Sequence, residues 1–325
     1  MARTRIPTWI LYNVPASFAR GALGGRHERT VRVAPGRVSP APWTKTCGPP
    51  TLSAGDRRLI VNADDLGLHP LIDAGILRCH REGIVTSASI CASGVAFAAA
   101  AAGARAAGLD VGVHLTLVGE APVSPPETVP TLAPGGRLPS GYAALFRRML
   151  FGQVRTQEVE RELEAQVARV RDAGLEVSHL DSHQHVHLHP SLLPLTLRLA
   201  RRFGVASLRA ATRLDPLVGL RPAVLALFAH RAAIRAGQEG LKVPDAILGL
   251  AETGGLSEPR LLRILDRLRP GTSELVCHPG SADAAVEAAY AWHFHWDEEV
   301  RALTSPRVRE SLARHGVRLV RYRDL

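Results

Sequence analysis

Five histidines fall within eleven residues in the stretch His179-Leu-Asp181-Ser-His183-Gln-His185-Val-His187-Leu-His189. Imidazole is the commonest side-chain ligand for borderline divalent metals, and alternate residues of an extended segment point to one side of it. Packing explains such a density poorly; a polar loop of hydrogen-bonded imidazoles is the plainer alternative. Two adjacent acids, Asp64 and Asp65, close an apolar run far upstream. Acids at a strand end are often a turn or a helix cap. Adjacency also permits a division of labour, one carboxylate binding a metal while its neighbour stays free as a base. His114 sits within an apolar run and His278 precedes Pro279. Each alone reads equally as a core histidine. One Asp with two His makes a facial ligand set that leaves positions open for water and substrate. A cation held there acidifies water and polarises a carbonyl, and a nearby carboxylate or His moves the proton. The chemistry implied is metal-assisted hydrolysis, most naturally of an amide or ester.

Elements must bring these residues together. RRLIVNADD reads as a buried strand, and His69–Glu82 as a helix with Leu71, Ala74, Ile76 and Leu77 on one side and Gly83 as its stop. Strands follow at IVTSASICAS, DVGVHLTL, LEVSHLDSH, ASLRA, SELVCH and VRLVRY. Between them lie helical patterns over 95–107, 157–172, 191–203, 219–236, 257–268 and 296–314. The clearest has Val159, Leu163, Val167 and Val170 at helical spacing. Such alternation predicts an α/β fold with a parallel sheet, open or closed as a barrel. In either, chemistry sits at the C-terminal strand ends. Asp64 and Asp65, His114, Asp181 to His187, and His278 each fall at such an end. Four strand ends thus deliver acids and histidines to one expected rim. His293 and His295 lie among Trp292, Phe294 and Trp296, where substrate stacking and packing are equally open.

The 325 residues are 46% apolar, 22% charged and 5% aromatic, an ordinary globular composition for one large domain or two modest ones. No stretch reaches the roughly 18 uninterrupted apolar residues of a membrane helix. Cys47, Cys79, Cys91 and Cys277 show no C-x-x-C spacing and read as reduced thiols of a cytoplasmic protein. Of the net charge of +10, residues 1–58 carry +8, with ten basic residues against Glu28 and Asp56. The basicity therefore belongs to a tail, and clustered basic faces with groove-reading elements are missing, so nucleic acid is not an expected partner. Residues 1–56, rich in Arg, Pro and Gly, read as a disordered extension. The apolar run Trp9–Val14 is short and broken by Asn13, which argues against a secretory leader.

LIVNADDLGL, GIVTSASI, VGVHLTL, HLDSHQHVHLHP, LVCHP and WDEEVRALTSPRV together resemble the YdjC-like carbohydrate deacetylases, which include chitooligosaccharide and hopanoid-associated deacetylases. The resemblance runs from about Arg57 to the C-terminus. It implies a single domain, 57–325, folded as a distorted (β/α) barrel like that of polysaccharide deacetylases. It implies removal of an acetyl group from an N-acetylglucosamine-type sugar with one divalent cation, magnesium or zinc. Carried over residue by residue, Asp65, His114 and His183 would bind that metal, and Asp64 would deprotonate the attacking water. His278 would protonate the leaving amine, while Asp181, His185 and His187 would contact substrate or orient His183. Asp73 stands where the family usually has Asn, and His69 where it usually has Ser. The stretch ILGLAETGGLSEPRLLRIL resembles the hopanoid-associated branch, which implies a glycolipid acceptor, with Leu217, Leu220, Val224 and Phe228 near an apolar entrance. A phosphoesterase on a similar barrel is a rival, weakened because no basic residue stands beside the rim motifs. A sugar-binding protein without turnover is a second rival, though Asp64 is present. A homodimer is left open.

Overall fold

A run that is apolar on consecutive residues suits a strand covered on both faces. RRLIVNADDL forms such a strand, β1 (Arg57–Leu66), with its last eight residues buried. The computed structural model describes residues 55–214 and 220–325. The N-terminal extension expected over 1–56 falls almost wholly outside them, as do Cys47 and Leu217.

Eight more strands follow: β2 (Ser87–Ile90), β3 (Asp110–Leu115), β4 (Val177–Ser182), β5 (Ser207–Leu208), β6 (Arg213–Leu214), β7 (Ala246–Leu248), β8 (Gly271–Cys277) and β9 (Val317–Leu319). Their order is β5-β4-β3-β2-β1-β8-β7-β6, all parallel, with β9 beside the first residues of β1. Ser207 of β5 also bridges Lys242, just ahead of β7, so the sheet curls back toward its other end. This is an α/β barrel-like sheet, as the sequence predicts.

The helices are α1 (Pro70–Glu82), α2 (Phe97–Ala107), α3 (Tyr142–Leu150), α4 (Thr156–Asp172), α5 (Leu193–Phe203), α6 (Leu220–Gln238), α7 (Glu258–Asp266), α8 (Ala284–Tyr290), α9 (Trp296–Thr304) and α10 (Pro306–Arg314). The periodicity of α4 holds, with Val159, Leu163, Val167 and Val170 all buried. Its other buried residues pin the loop that precedes it. Glu162 accepts from the amides of Val123 and Ser124, and Glu158 from those of Thr131 and Leu132. For α1 the expected face is one residue out of place. The buried stripe is Ile72, Gly75, Ile76 and Cys79, while Ala74 is exposed. Gly75 makes that face close-packing, because a Cβ there would stand 2.5 Å from the Gly280 backbone. The helical stretch at 296–314 is two helices, parted at Ser305-Pro306, where Pro cannot continue the first. Strands β6 and β7 and helices α3 and α8 go beyond the elements the sequence pattern predicts; strands of two or three residues carry no readable period.

Candidate active site

β1 pairs with β2 as Ala63 to Ala88 and then Leu66 to Ile90, so three residues step against two. The extra residue is a bulge at the acid pair, where Asp65 adopts a left-handed backbone with φ 70°. Consecutive strand side chains ordinarily point to opposite faces, and a bulge re-aims them. Here both carboxyls are buried, yet they answer to different partners.

Asp65 faces histidines. Its Oδ1 lies 3.0 Å from His183 Nδ1 and 3.5 Å from His114 Nε2. Ligand atoms of Asp65, His114 and His183 all lie within 4.8 Å of one another. His114 Nδ1 stands 2.9 Å from Asp181 Oδ1, so a proton held there leaves the Nε2 lone pair aimed at the cluster. His183 lies edge-on to His114 at 5.6 Å and stacks on Trp292 at 5.4 Å. Two imidazoles and one carboxylate, one imidazole already oriented through its far nitrogen, fit a divalent cation. Burial opposes ionisation of Asp65, but His183 and His114 outweigh it and hold the carboxyl well below its usual range. Burial likewise opposes charge on His114, yet Asp181 and Asp64 raise it to about 9.

Asp64 faces an arginine. Arg209 Nη1 and Nη2 donate to its two oxygens at 2.7 Å each, and Asn62 Nδ2 adds a third bond to Oδ1 at 2.9 Å. Burial opposes the Asp64 charge, but Arg209 and His114 hold its pKa below the ordinary value. Arg209 is fully buried and also binds Asp181 and Glu274. The expectation that no basic residue stands beside the site is therefore corrected. Short β5 delivers Arg209 into the barrel, and nothing in ASLRA marks that arginine as inward-facing.

His278, just past β8, brings Nε2 to 4.0 Å from Asp64 Oδ2. Its Nδ1 is buried without a hydrogen-bond partner among the described residues. Asp64 Oδ1 already accepts two bonds, so Oδ2 is the oxygen with capacity left, and it is the one facing His278.

The other predicted residues lie close by in different roles. Asp181 braces His114, binds Arg209 and accepts from Ser89 Oγ at 2.7 Å. His187 sits beside Ser182 Oγ, and its Nε2 is 2.7 Å from the Arg209 carbonyl. No hydrogen bond joins it to His183 among the described residues. His185, half-buried on a left-handed backbone (φ 54°), is held down to about 3 by burial and Arg209. Phe228 packs edge-on to His189 at 5.5 Å, beside this turn. Asn62, Ser89, Arg209 and Glu274 join the site without having been singled out in the sequence, each a single polar residue whose side-chain direction only the curled sheet reveals, whereas Trp292 comes from the aromatic stretch that the sequence marks for stacking or packing.

This chain matches the family described as YdjC-like protein over residues 58–314. It is 32% identical over 274 residues to a carbohydrate deacetylase of Geobacillus stearothermophilus, covering 82% of this chain and 98% of that one. It is 34% identical over 276 residues to a chitooligosaccharide deacetylase of Enterobacter sp. (strain 638), covering 83% and 100%. A crystal structure from Enterococcus faecalis V583, named as a candidate cellobiose-phosphate cleavage protein, superposes with a TM-score of 0.68 at 27% identity, covering 82% and 98%. With the motif residues gathered at one rim and the match spanning most of the barrel, the chain belongs to the YdjC-like family.

Proposed function

We propose that this chain hydrolyses the N-acetyl group of an N-acetylglucosamine-type sugar with the help of one divalent cation, and that residues 57–325 form the catalytic domain. The observation that carries the reading is the divergence of Asp64 and Asp65, one toward an arginine and the other toward two histidines. Asp65, His114 and His183 would hold the cation; two imidazoles favour zinc over magnesium. When bound, the cation supplies Lewis-acid polarisation of the acetamide and a lowered water pKa. Asp64 Oδ2 takes the proton from the attacking water, its carboxylate kept ionised and fixed by Arg209. His278 Nε2, facing the same gap, gives a proton to the departing amine. The sugar amine and acetate leave as products.

Two acceptors suit the site, a short chito-oligomer and an N-acetylglucosaminyl lipid of the hopanoid type. Exposed Leu220 (82%) and Val224 (40%) on α6, with Phe228 of the same helix against His189, support the lipid. Phosphoester hydrolysis is disfavoured because all three groups that Arg209 grips are carboxylates of its own chain. No described helix is long and apolar enough to cross a membrane. Acetate released from both acceptors, with chelator and then metal restored, tests the reading. Equal rates on the two would remove the support for a lipid acceptor, and no acetate from either would remove the reaction class.

A further inference from the structure

Beneath Asp64 the barrel interior is polar and closed. All three nitrogens of Arg209 are engaged: Nε donates to Glu274, Nη1 and Nη2 donate to Asp64, and these two also stand 2.7 Å from Asp181 and Glu274 respectively. Arg209 cannot move toward one partner without breaking with another. Its position therefore depends on where Glu274 is held. Glu274 Oε1 faces Arg209 Nε at 2.8 Å, and Oε2 accepts from the hydroxyl of Tyr322 at 2.5 Å.

Tyr322 lies just past β9, close to the C-terminal Leu325, and is fully buried. Its amide donates to Asp110 Oδ2 at 3.1 Å and to Ser87 Oγ at 3.3 Å. Its ring stacks on His179 at 3.7 Å with 14° between the planes. His179 Nε2 stands 3.1 Å from Ser89 Oγ, which donates to Asp181, which again binds Arg209. His179 itself lies where Gly112 leaves room, since a Cβ there would come within 2.3 Å of the ring. The contacts make a ring of six residues with Asp64 attached at the arginine. Burial pushes the Glu274 carboxyl up to about 7, against the Arg209 charge and the hydrogen bonds from Tyr322 and Arg209, which favour its ionised form.

We propose that Tyr322 is a positioning residue for Asp64, acting through Glu274 and Arg209, so that the closing turn of the chain sets the geometry of the proposed base. The proposal rests on the deacetylase reading for the role of Asp64. It does not rest on that reading for the coupling between Tyr322 and Arg209. A buried network of this kind is stiff only when every member is satisfied, and one missing hydroxyl frees the next group. Neither motif comparison nor proximity to the rim would single out Tyr322, because it approaches from the opposite end of the barrel.

Tyr322→Phe is the test, since it keeps the ring on His179 and drops one hydroxyl. With the full chain and its metal, kcat for acetate release falls about tenfold, as for one lost hydrogen bond to a charged group, while KM stays within about twofold. Exchange of the Arg209 Nε–H with solvent, read by nitrogen-15 NMR, quickens about tenfold, and metal content per chain is unchanged. In an Arg209→Lys background the same change has no further effect on kcat. Wild-type kcat together with unchanged Arg209 exchange overturns the proposal. So does a lower melting temperature accompanied by wild-type Arg209 exchange, which marks a packing role alone. If the wild-type protein releases no acetate, the deacetylase reading fails, and the Arg209 exchange measurement still decides the coupling.

Discussion

Arg209, itself fully buried, grips Asp64 through two parallel hydrogen bonds of 2.7 Å. A fork of this kind fixes a carboxylate in direction as well as charge. Lysine cannot reproduce it, because its ammonium is a point charge on a flexible stem. Arg209→Lys therefore keeps a cation near Asp64 and loses its orientation. Its kcat falls by about 100-fold, with secondary structure retained, as read by acetate release and circular dichroism. Arg209→Met leaves Asp64, Asp181 and Glu274 crowded without their cation and costs about 3–5 kcal/mol of stability in denaturant melts. Wild-type stability in Arg209→Met would refute the importance of the fork.

The two acids separate binding from turnover. Asp65→Asn removes one of three ligand atoms and lowers cation affinity by about 100-fold or more, measured by calorimetry. Asp64→Asn leaves affinity within a few-fold, because Asp64 is gripped by Arg209 and stands outside the Asp65, His114 and His183 cluster. Equal loss of affinity in both variants would contradict the assignment.

Asp181 acts on the metal through His114. Asp181→Asn withdraws the carboxylate that stands 2.9 Å from His114 Nδ1 and lowers cation affinity by about 10- to 100-fold. His187→Ala, whose ring meets Ser182 and the Arg209 carbonyl, spares cation affinity and lowers the melting temperature. Calorimetry on both variants checks the contrast, and a larger affinity loss for His187→Ala would reverse it.

Asp73 carries a stability cost that depends on pH. Burial pushes its carboxyl from 3.8 up to about 7, opposed only by the bond it accepts from the Gly67 amide at 2.6 Å. A raised carboxyl pKa means the folded chain keeps a proton that the unfolded chain has lost. Stability from this group is therefore whole below about pH 4, declines between about pH 4 and 7, and stays low above. Asp73→Asn, which preserves the acceptor, removes that decline. The variant is more stable than wild type by about 1–4 kcal/mol at pH 8 and nearly equal at pH 4. A difference that does not change with pH would rule out this origin.

Strand ends and motif order make most of the rim legible in the amino-acid sequence. Asp65, His114 and His183 converge, and His278 faces Asp64, because a parallel barrel puts every strand's C-terminal end on one side. The support beneath them is less legible. Arg209 follows a strand of two residues, and Tyr322 belongs to a turn at the far end of the chain. Neither has a period or a neighbouring motif to announce it. The buried face of α1 departs from its apolar pattern for a related reason: Gly75 is apolar only by context, selected by the approach of Gly280. Close backbone contact is a property of the fold, and residue type alone does not report it. The bulge at Asp64-Asp65 is likewise hidden, since alternation predicts opposite faces for neighbours and only the register with β2 shows otherwise.

The most direct test is acetate release from an N-acetylglucosaminyl substrate by wild type and Asp64→Asn, each stripped with chelator and then reloaded. Metal-dependent release by wild type is expected, with Asp64→Asn binding the cation equally well and turning over about 1,000-fold more slowly. Wild-type release that survives metal removal, or full activity in Asp64→Asn, would contradict it.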